Sequence, residues 1–418
     1  MGTRRREPSG SVETADAVIV GGGMVGLTLG AALAGAGLRT TLIDTVDPAA
    51  TAEPDYDGRT SAIAPGSQRV LAGAGVWDGI AARACPIHDI RVSDGDAPLF
   101  LHYDHREAGL GPMGWIVENR DIRRALGARA AGLETLRLRA PARLTRLERG
   151  RHRVTAHLAD GGVVRAPLVL ACDGHNSTVR RRAGIAAAHW RYPQTGIVCT
   201  VAHELPHRNV AHERFLPAGP FAILPMVDDE RGGHRSSIVW TEREKLAPSI
   251  LGLDRHAFAA ELAARFGDFL GALEVVGRRW AYPLGLLHAE RYVDRRLALV
   301  GDAAHAIHPI AGQGLNMGLR DVAALAEVLV DARRLGLDPG GAEVLARYQR
   351  WRRFDNTVLM FVTDGLNRLF SNDLAPVRLA RDLGLAAVDA VPPLKRLFMR
   401  HAMGLMGDLP RLVRGEAL

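Results

Sequence analysis

After a polar opening, MGTRRREPSGSVETAD, the chain runs without a charge from Ala17 to Leu38. These 22 residues are enough by count to span a bilayer. Their texture argues otherwise. AVIV is β-type, three consecutive glycines follow, and LTLGAALAGAG has helical character, so the pattern predicts strand, tight turn and helix buried inside a protein. The same order recurs along the chain. LRTTLID reads as a strand ending at Asp44, APLVLAC as a strand running into Asp173, and RRLALV as a strand running into Gly301. The stretch LNMGLRDVAALAEVLVDARRL then carries the apolar spacing of a long amphipathic helix. In the middle of the chain, FAILPMV and SSIVWT are strand-like runs set between charged turns.

A length of 418 residues points to two or three domains with ample chain for a core. With 47% hydrophobic and 24% charged residues, the chain is globular and soluble rather than disordered or fibrous. The 53 basic residues exceed the 46 acidic ones by seven, and only Lys245 and Lys395 are lysine. Because the arginines are scattered among acids instead of forming a stripe, nucleic acid is not an expected partner. A mild attraction to anionic lipid survives. Cys85, Cys172 and Cys199 are odd in number and far apart, with no CxxC pair, which fits a reducing, cytoplasmic setting. The basic N-terminus lacks an apolar segment behind it and is expected to be a solvated tail, not a secretory signal.

The first turn, Gly21-Gly22-Gly23-Met24-Val25-Gly26, satisfies G-x-G-x-x-G directly after a strand. In that context Gly21 permits the tight turn, Gly23 lets the backbone approach a pyrophosphate, and Gly26 lets helix and strand pack closely. Asp44 ends the next strand, where its carboxylate can accept hydrogen bonds from an adenosine ribose. NAD and FAD fit this fingerprint equally. The choice comes from a second glycine-rich helix start, Gly301-Asp302-Ala303-Ala304-His305 followed by His308-Pro309-Ile310-Ala311-Gly312-Gln313-Gly314-Leu315-Asn316. A ligand with a pyrophosphate at one end and an electron-accepting ring at the other suits two such starts, and FAD is such a ligand. A helix N-terminus stabilises the negative charge of a reduced flavin ring, and Asp302 is placed for ribityl hydroxyls. The H-x-x-H spacing of His305 and His308 lacks a third ligand, so no metal is expected. Asp173 to Arg180 alone reads as a capped turn before a basic helix.

Together these motifs resemble the class A flavoprotein monooxygenases, and GDAAHAIHPIAGQGLNMGLRDV is similar to the ubiquinone-biosynthesis hydroxylase family within that class. GRTSAIAPGSQRVLAGAGVWD, GWIVENRDIRRAL, ERFLPAGPFAILPMVDD, SIVWT, RHAMG and LVRG agree, so the resemblance covers nearly the whole chain. It implies an α/β fold: a Rossmann-like FAD-binding domain (12–82, 116–184 and 293–335) interleaved with a β-sheet substrate domain (83–115 and 185–292), then a C-terminal helical region (336–418). It also implies site residues. Gly21, Gly23, Gly26 and Asp44 hold the ADP half of FAD; Arg59 and Asn119 add contacts; and Asp173, Gly174 and Arg180 serve FAD and NAD(P)H. Gly301, Asp302 and the backbone of Gly312, Gln313, Gly314, Leu315 and Asn316 hold the ribityl chain and ring.

The implied activity is hydroxylation of the ring of a polyprenylated phenol or quinone precursor through a flavin C4a-hydroperoxide, with O₂ as co-substrate and NAD(P)H or a protein donor as reductant. His308 and Pro309 are expected to line the pocket beside the ring; Trp240, Pro225 and Pro283 are candidates for its wall or for core. A bilayer-borne substrate implies peripheral contact at the inner face of the membrane and membership of a quinone-biosynthesis complex; an oligomer is possible. Residues 351–418, with ten Arg/Lys, seven Asp/Glu and interleaved apolar groups, fit an interfacial helix or helices packed on the protein itself. Rival functions are a soluble aromatic hydroxylase, a flavin-dependent reductase of prenyl double bonds and a non-catalytic flavin-bound scaffold.

Overall fold

The computed structural model describes residues 12–53, 57–95, 100–109, 111–308, 312–370 and 391–418. A six-stranded sheet forms one layer, in the order Val293–Asp294, Leu297–Leu299, Val169–Ala171, Ala17–Val20, Thr40–Ile43, Leu136–Arg139. All pairings are parallel except the first. The inner strands are buried along their whole length, which is why they read as continuous apolar runs: helices cover both faces of such a sheet. The charge-free run therefore resolves into strand Ala17–Val20 and helix Met24–Gly35. That helix packs against helices Asn119–Ala131 and Gln313–Arg334. Gly318 and Gly301 make the second contact possible, since a Cβ at Gly318 would lie 2.7 Å from Val25 Cγ2 and one at Gly301 3.2 Å from Val25 Cγ1. Among the described residues, no helix is long and apolar enough to cross a membrane.

The second large sheet has eight strands in the order His305–Ala306, Leu273–Ala289, Ala187–His203, His234–Arg243, Gly219–Met226, Val210–Leu216, Asp89–Asp94, Phe100–Asp104. Its first strand comes from the chain just past Gly301, so the two sheets are joined at that motif. One face packs on helix Arg255–Phe266 through a core that includes Phe221, Ile238, Trp240, Phe258 and Phe266. The other face looks into a cavity. Strand alternation decides which residues go where: Val239 and Thr241 face the cavity, and Trp240 between them faces the helix. Trp240 is thus core, Pro225 is buried without lining the cavity, and Pro283 is on its wall.

Behind the glycine-rich segment, helix Ala342–Phe370 packs on Gln313–Arg334, and helix Pro392–Ala402 contributes Met399 to the cavity wall. The C-terminus returns to the first layer. Leu412 and Val413 are buried, Arg411 pairs with Glu327 and Asp331, and Trp351 Nε1 donates to Asp408 O at 2.8 Å.

Candidate active site

The first glycine turn is built by crowding. Gly21 sits at φ +107°, and a Cβ there would lie 2.3 Å from the Cys172 carbonyl oxygen; one at Gly26 would lie 1.9 Å from the Gly21 carbonyl oxygen. No side chain fits either place. Gly23 differs, for a Cβ there meets nothing within 4 Å. The helix that Gly23 starts has no side-chain cap and no acidic residue in its first turn, so its N–H groups remain available to an anion. Asp44 accepts the Gly22 N–H, and the Val46 N–H at 2.7 Å, which fixes its carboxylate beside the turn with lone pairs to spare for a ribose.

The segment after Asp173 is held by its own capping bonds. Asp173 accepts from Ser177 Oγ (2.5 Å), Thr178 N (2.7 Å) and Val179 N (3.1 Å), so its carboxylate caps helix Thr178–Arg182. Gly174, at φ +76°, turns the chain outward, and His175 and Asn176 line the cavity instead. Arg180 is buried and donates to Ala303 O (2.8 Å) and His175 O (2.9 Å), which ties this segment to the Gly301 turn; burial lowers its pKa.

At that turn Gly301 adopts φ +59° and donates to Asp321 Oδ2 at 3.1 Å. Asp321, fully buried, also takes His305 Nε2 (2.5 Å), Arg352 Nε (2.9 Å) and Asn356 Nδ2 (3.1 Å). Burial alone would raise its pKa, but His305 and Arg352 hold the carboxyl well below the usual range. His305 is accordingly part of a buried ionic network that locks the turn to two helices. Asp302, one residue on from Gly301, is exposed, and what it is exposed to is the cavity. The protein around it disfavours its charge and raises its pKa, an effect that His305, His175 and Arg59 only partly offset.

Arg59, Asp302, Gly312, Gln313 and Asn316 meet along one side of this cavity, whose volume is about 1470 Å³. Arg59 lies 4.8 Å over the Tyr282 ring. Gly312 is left-handed at φ +60° and starts helix Gln313–Arg334 without a side-chain cap. Asn316 clamps that start to the neighbouring strand, accepting from Ala64 N (3.0 Å) and donating to Ala62 O (2.8 Å). Asn119 is buried, and its side chain accepts from Ser61 Oγ at 2.6 Å. Gly314 has open space where a Cβ would be, while Leu315 packs on the core. The Gly21–Gly26 turn and Asp44 are not on this cavity's wall. His308 departs from expectation: it is fully buried, edge-on to Tyr192 with ring centroids 5.3 Å apart, and burial pulls its pKa down to about 4. Ile307, not His308, lines the cavity. Pro309 lies outside the described residues.

The opposite side of the cavity is aliphatic and aromatic. Reading across five strand pairings, Leu101, Val92, Glu213, Ala222, Val239 and Val198 form one row of its floor. Glu213 was not singled out by the sequence. Its only signal is its place two residues from Ala211 and from Phe215, on the same face, which needs the strand's facing to be known. Thr241 Oγ1, also on the floor, is buried with no hydrogen-bond partner among the described residues.

Uncapped helix starts, a Gly23 with open space above it and a carboxylate facing a cavity fit a dinucleotide whose second end is a planar ring. The FAD binding domain family model matches residues 14–355, and the chain belongs to that family. FAD is its cofactor. At the level of particular relatives, it is 56% identical to ubiquinone hydroxylase UbiL of Rhodospirillum rubrum over 97% of this chain and 94% of that one. It is 38% identical to 3-demethoxyubiquinol 3-hydroxylase of Escherichia coli over 93% and 98% respectively. The resemblance to ubiquinone-biosynthesis hydroxylases is thereby borne out. The crystal structure of p-nitrophenol 4-monooxygenase PnpA from Pseudomonas putida superposes with a TM-score of 0.78 over 94% of this chain and 99% of that one; at 21% identity the likeness is one of fold.

Proposed function

We propose that the chain hydroxylates the aromatic ring of a polyprenylated phenol or quinone precursor in ubiquinone biosynthesis, using FAD, O₂ and either NAD(P)H or a protein electron donor. The observation that carries this reading is the cavity: one polar side, where Asp302, Gly312 and Asn316 converge, faces a large apolar floor. On this reading, the Gly21–Gly26 turn and Asp44 hold the ADP half of FAD, and Asp302 with the backbone from Gly312 to Asn316 holds the ribityl chain and ring. The division into FAD-binding, substrate and C-terminal helical regions given above belongs to the same reading. Bound FAD supplies the oxygen-activating chemistry. The chain's own contribution is to hold the ring beside it and to exclude water with an apolar wall, which suppresses wasteful discharge of the activated oxygen.

A bilayer-borne substrate needs a way in. Helix Ala342–Phe370 offers one, because Val362, Leu366 and Leu369 are exposed on its surface and also line the cavity. Phe354 and Phe361 extend the same exposed apolar surface, each 72% exposed. This helix is the proposed peripheral membrane contact, with the prenyl tail leaving the cavity beside it. The test is product mass: with ¹⁸O₂ and a reductant, a prenylated phenol should gain one labelled oxygen. Flavin reduction without incorporation overturns the hydroxylase reading, and no consumption of reductant at all favours a scaffold. Phe354→Ser with Phe361→Ser should weaken liposome association severalfold while leaving flavin content unchanged. Removing the C-terminal residues instead would also disturb the core, because Leu412 and Val413 are buried in it.

A further inference from the structure

Glu213 sits on strand Val210–Leu216 between Ala211 and Phe215, whose side chains face the cavity: Ala211 packs with Ile87, Met113 and Met399, and Phe215 stacks on Phe370 at 4.1 Å. The intervening residues point the other way. His212 is against Phe269, and Arg214 donates to Arg265 O at 2.7 Å on the far face of the sheet. Glu213 therefore projects into the cavity, flanked in register by Val92 and Ala222. Among the described residues its carboxylate has neither a hydrogen-bond nor an ion-pair partner, and Asp302 is the other carboxylate on the cavity wall. An unpaired carboxylate in an aliphatic row costs stability and is retained where a ligand supplies the missing partner.

We propose that Glu213 recognises the ring hydroxyl of the substrate and accepts its proton as the ring is hydroxylated. This rests on the ring-hydroxylase reading above and names the residue that reading lacks. In the step, the phenol O–H bond breaks and a carboxyl O–H bond forms; the bonding pair stays on the ring oxygen, which enriches the ring in electrons, and no electron enters or leaves the protein. The proton returns to the product oxygen afterwards. Desolvation pushes the Glu213 carboxyl up to about 7, closer to the value of about 10 for a phenol, which makes it a stronger base than an exposed glutamate, half ionised near neutral pH and ionised above it. The titratable groups around it are few. His212, next along the strand, touches the cavity but turns its ring onto Phe269, and burial lowers its pKa to about 4; Tyr103 lies on the outer strand, Arg59, His175 and Asp302 are on the cofactor side, His189 and Arg191 stand at the start of strand Ala187–His203, and the cavity-lining residues of helices Ala342–Phe370 and Pro392–Ala402 carry no charge. A second consequence is selectivity: a carboxylate on the floor repels an aromatic acid and accepts a neutral phenol.

Two variants test this in the flavin-loaded protein. Glu213→Gln keeps the size and a hydrogen-bond acceptor but no base, so kcat on a prenylated phenol should fall at least about a hundredfold, within the usual range for losing a general base, with KM changed less than about threefold. The rise of wild-type kcat with pH through about 7 should disappear. Glu213→Leu removes the acceptor as well. Wild type should bind the phenol at least about tenfold more tightly than its methyl ether, read by flavin fluorescence without turnover, and Glu213→Leu should bind both equally. A Glu213→Gln enzyme that loses less than tenfold in kcat and keeps the pH limb overturns the proposal, as does a Glu213→Leu protein that still prefers the phenol. These results are separable from the parent reading: a wild type that discriminates phenol from ether but incorporates no oxygen defeats the hydroxylase function and leaves the recognition role standing.

Discussion

The two sides of the cavity are built on opposite principles. The side we assign to FAD, the cofactor side, is polar and over-determined. Asp321 alone takes four donors, two from the Gly301 turn and two from helix Ala342–Phe370, Arg180 staples the Asp173 segment to that turn, and Asn316 fixes the helix start. The sheet side is aliphatic, with one unpaired carboxylate in a row of six residues. A cofactor carried through every turnover rewards rigid, satisfied polar networks, whereas an apolar substrate that enters and leaves rewards a smooth wall with one chemical landmark.

The sharpest break of that contrast is Asp321→Asn. It takes the buried carboxylate away from His305 and from Arg352, which keeps Asp355 as an ion-pair partner, so it should lower stability by about 3 kcal/mol in denaturant titration, the low end of the range for breaking a buried pair; a loss below 1 kcal/mol would mean the network does not hold the cofactor side together. Next comes a pair of glycines. Gly23→Val should fold as the apo-protein and lose FAD affinity at least about a hundredfold, near 2.7 kcal/mol, because its side chain enters space that only a ligand would claim. Gly26→Val, which strikes the Gly21 carbonyl, should lose flavin and stability together. Equal stability of the two variants would contradict this division of labour. Asp302→Ala should weaken FAD about tenfold by titration of the apo-protein; unchanged affinity would remove Asp302 from the ribityl chain.

The smallest effect belongs to the sheet side. The folded Glu213 carboxyl holds its proton up to about 7, above its usual 4.5. Unfolding between those values therefore releases a proton, and stability should fall as pH rises through that window. Glu213→Gln should remove that part of the slope, worth of order 1 kcal/mol because water reaches the open cavity. A slope identical to wild type would mean the carboxylate is not desolvated.

The cofactor side was legible in the sequence because its constraints are local. Gly21 and Gly26 are demanded by backbone contacts within a few residues or to the adjacent strand end, and Gly312 by its own left-handed φ. The parallel strands announced themselves as apolar runs. Asp173 shows the limit: the motif was visible, but only the structure shows which backbone and hydroxyl groups its carboxylate caps. His308 shows another, for its burial depends on Tyr192, more than a hundred residues earlier. Trp240 and Pro225 required the facing of strands, which FAILPMV and SSIVWT, apolar on both faces, do not disclose. Glu213 required a row assembled from separate strands, so no single stretch of sequence carries it.

On the proposed function, this cavity joins flavin chemistry to an apolar ring substrate. Its most direct test is the ratio of kcat/KM for oxygen incorporation into a phenol with one or two prenyl units against 4-hydroxybenzoate or bare phenol, with the reductant held the same. Each buried methylene contributes roughly 0.8 kcal/mol, so the prenylated ring should be favoured at least about a hundredfold, or about 2.7 kcal/mol. Equal turnover of prenylated and soluble rings would contradict an apolar-substrate cavity and place the chain among soluble aromatic hydroxylases.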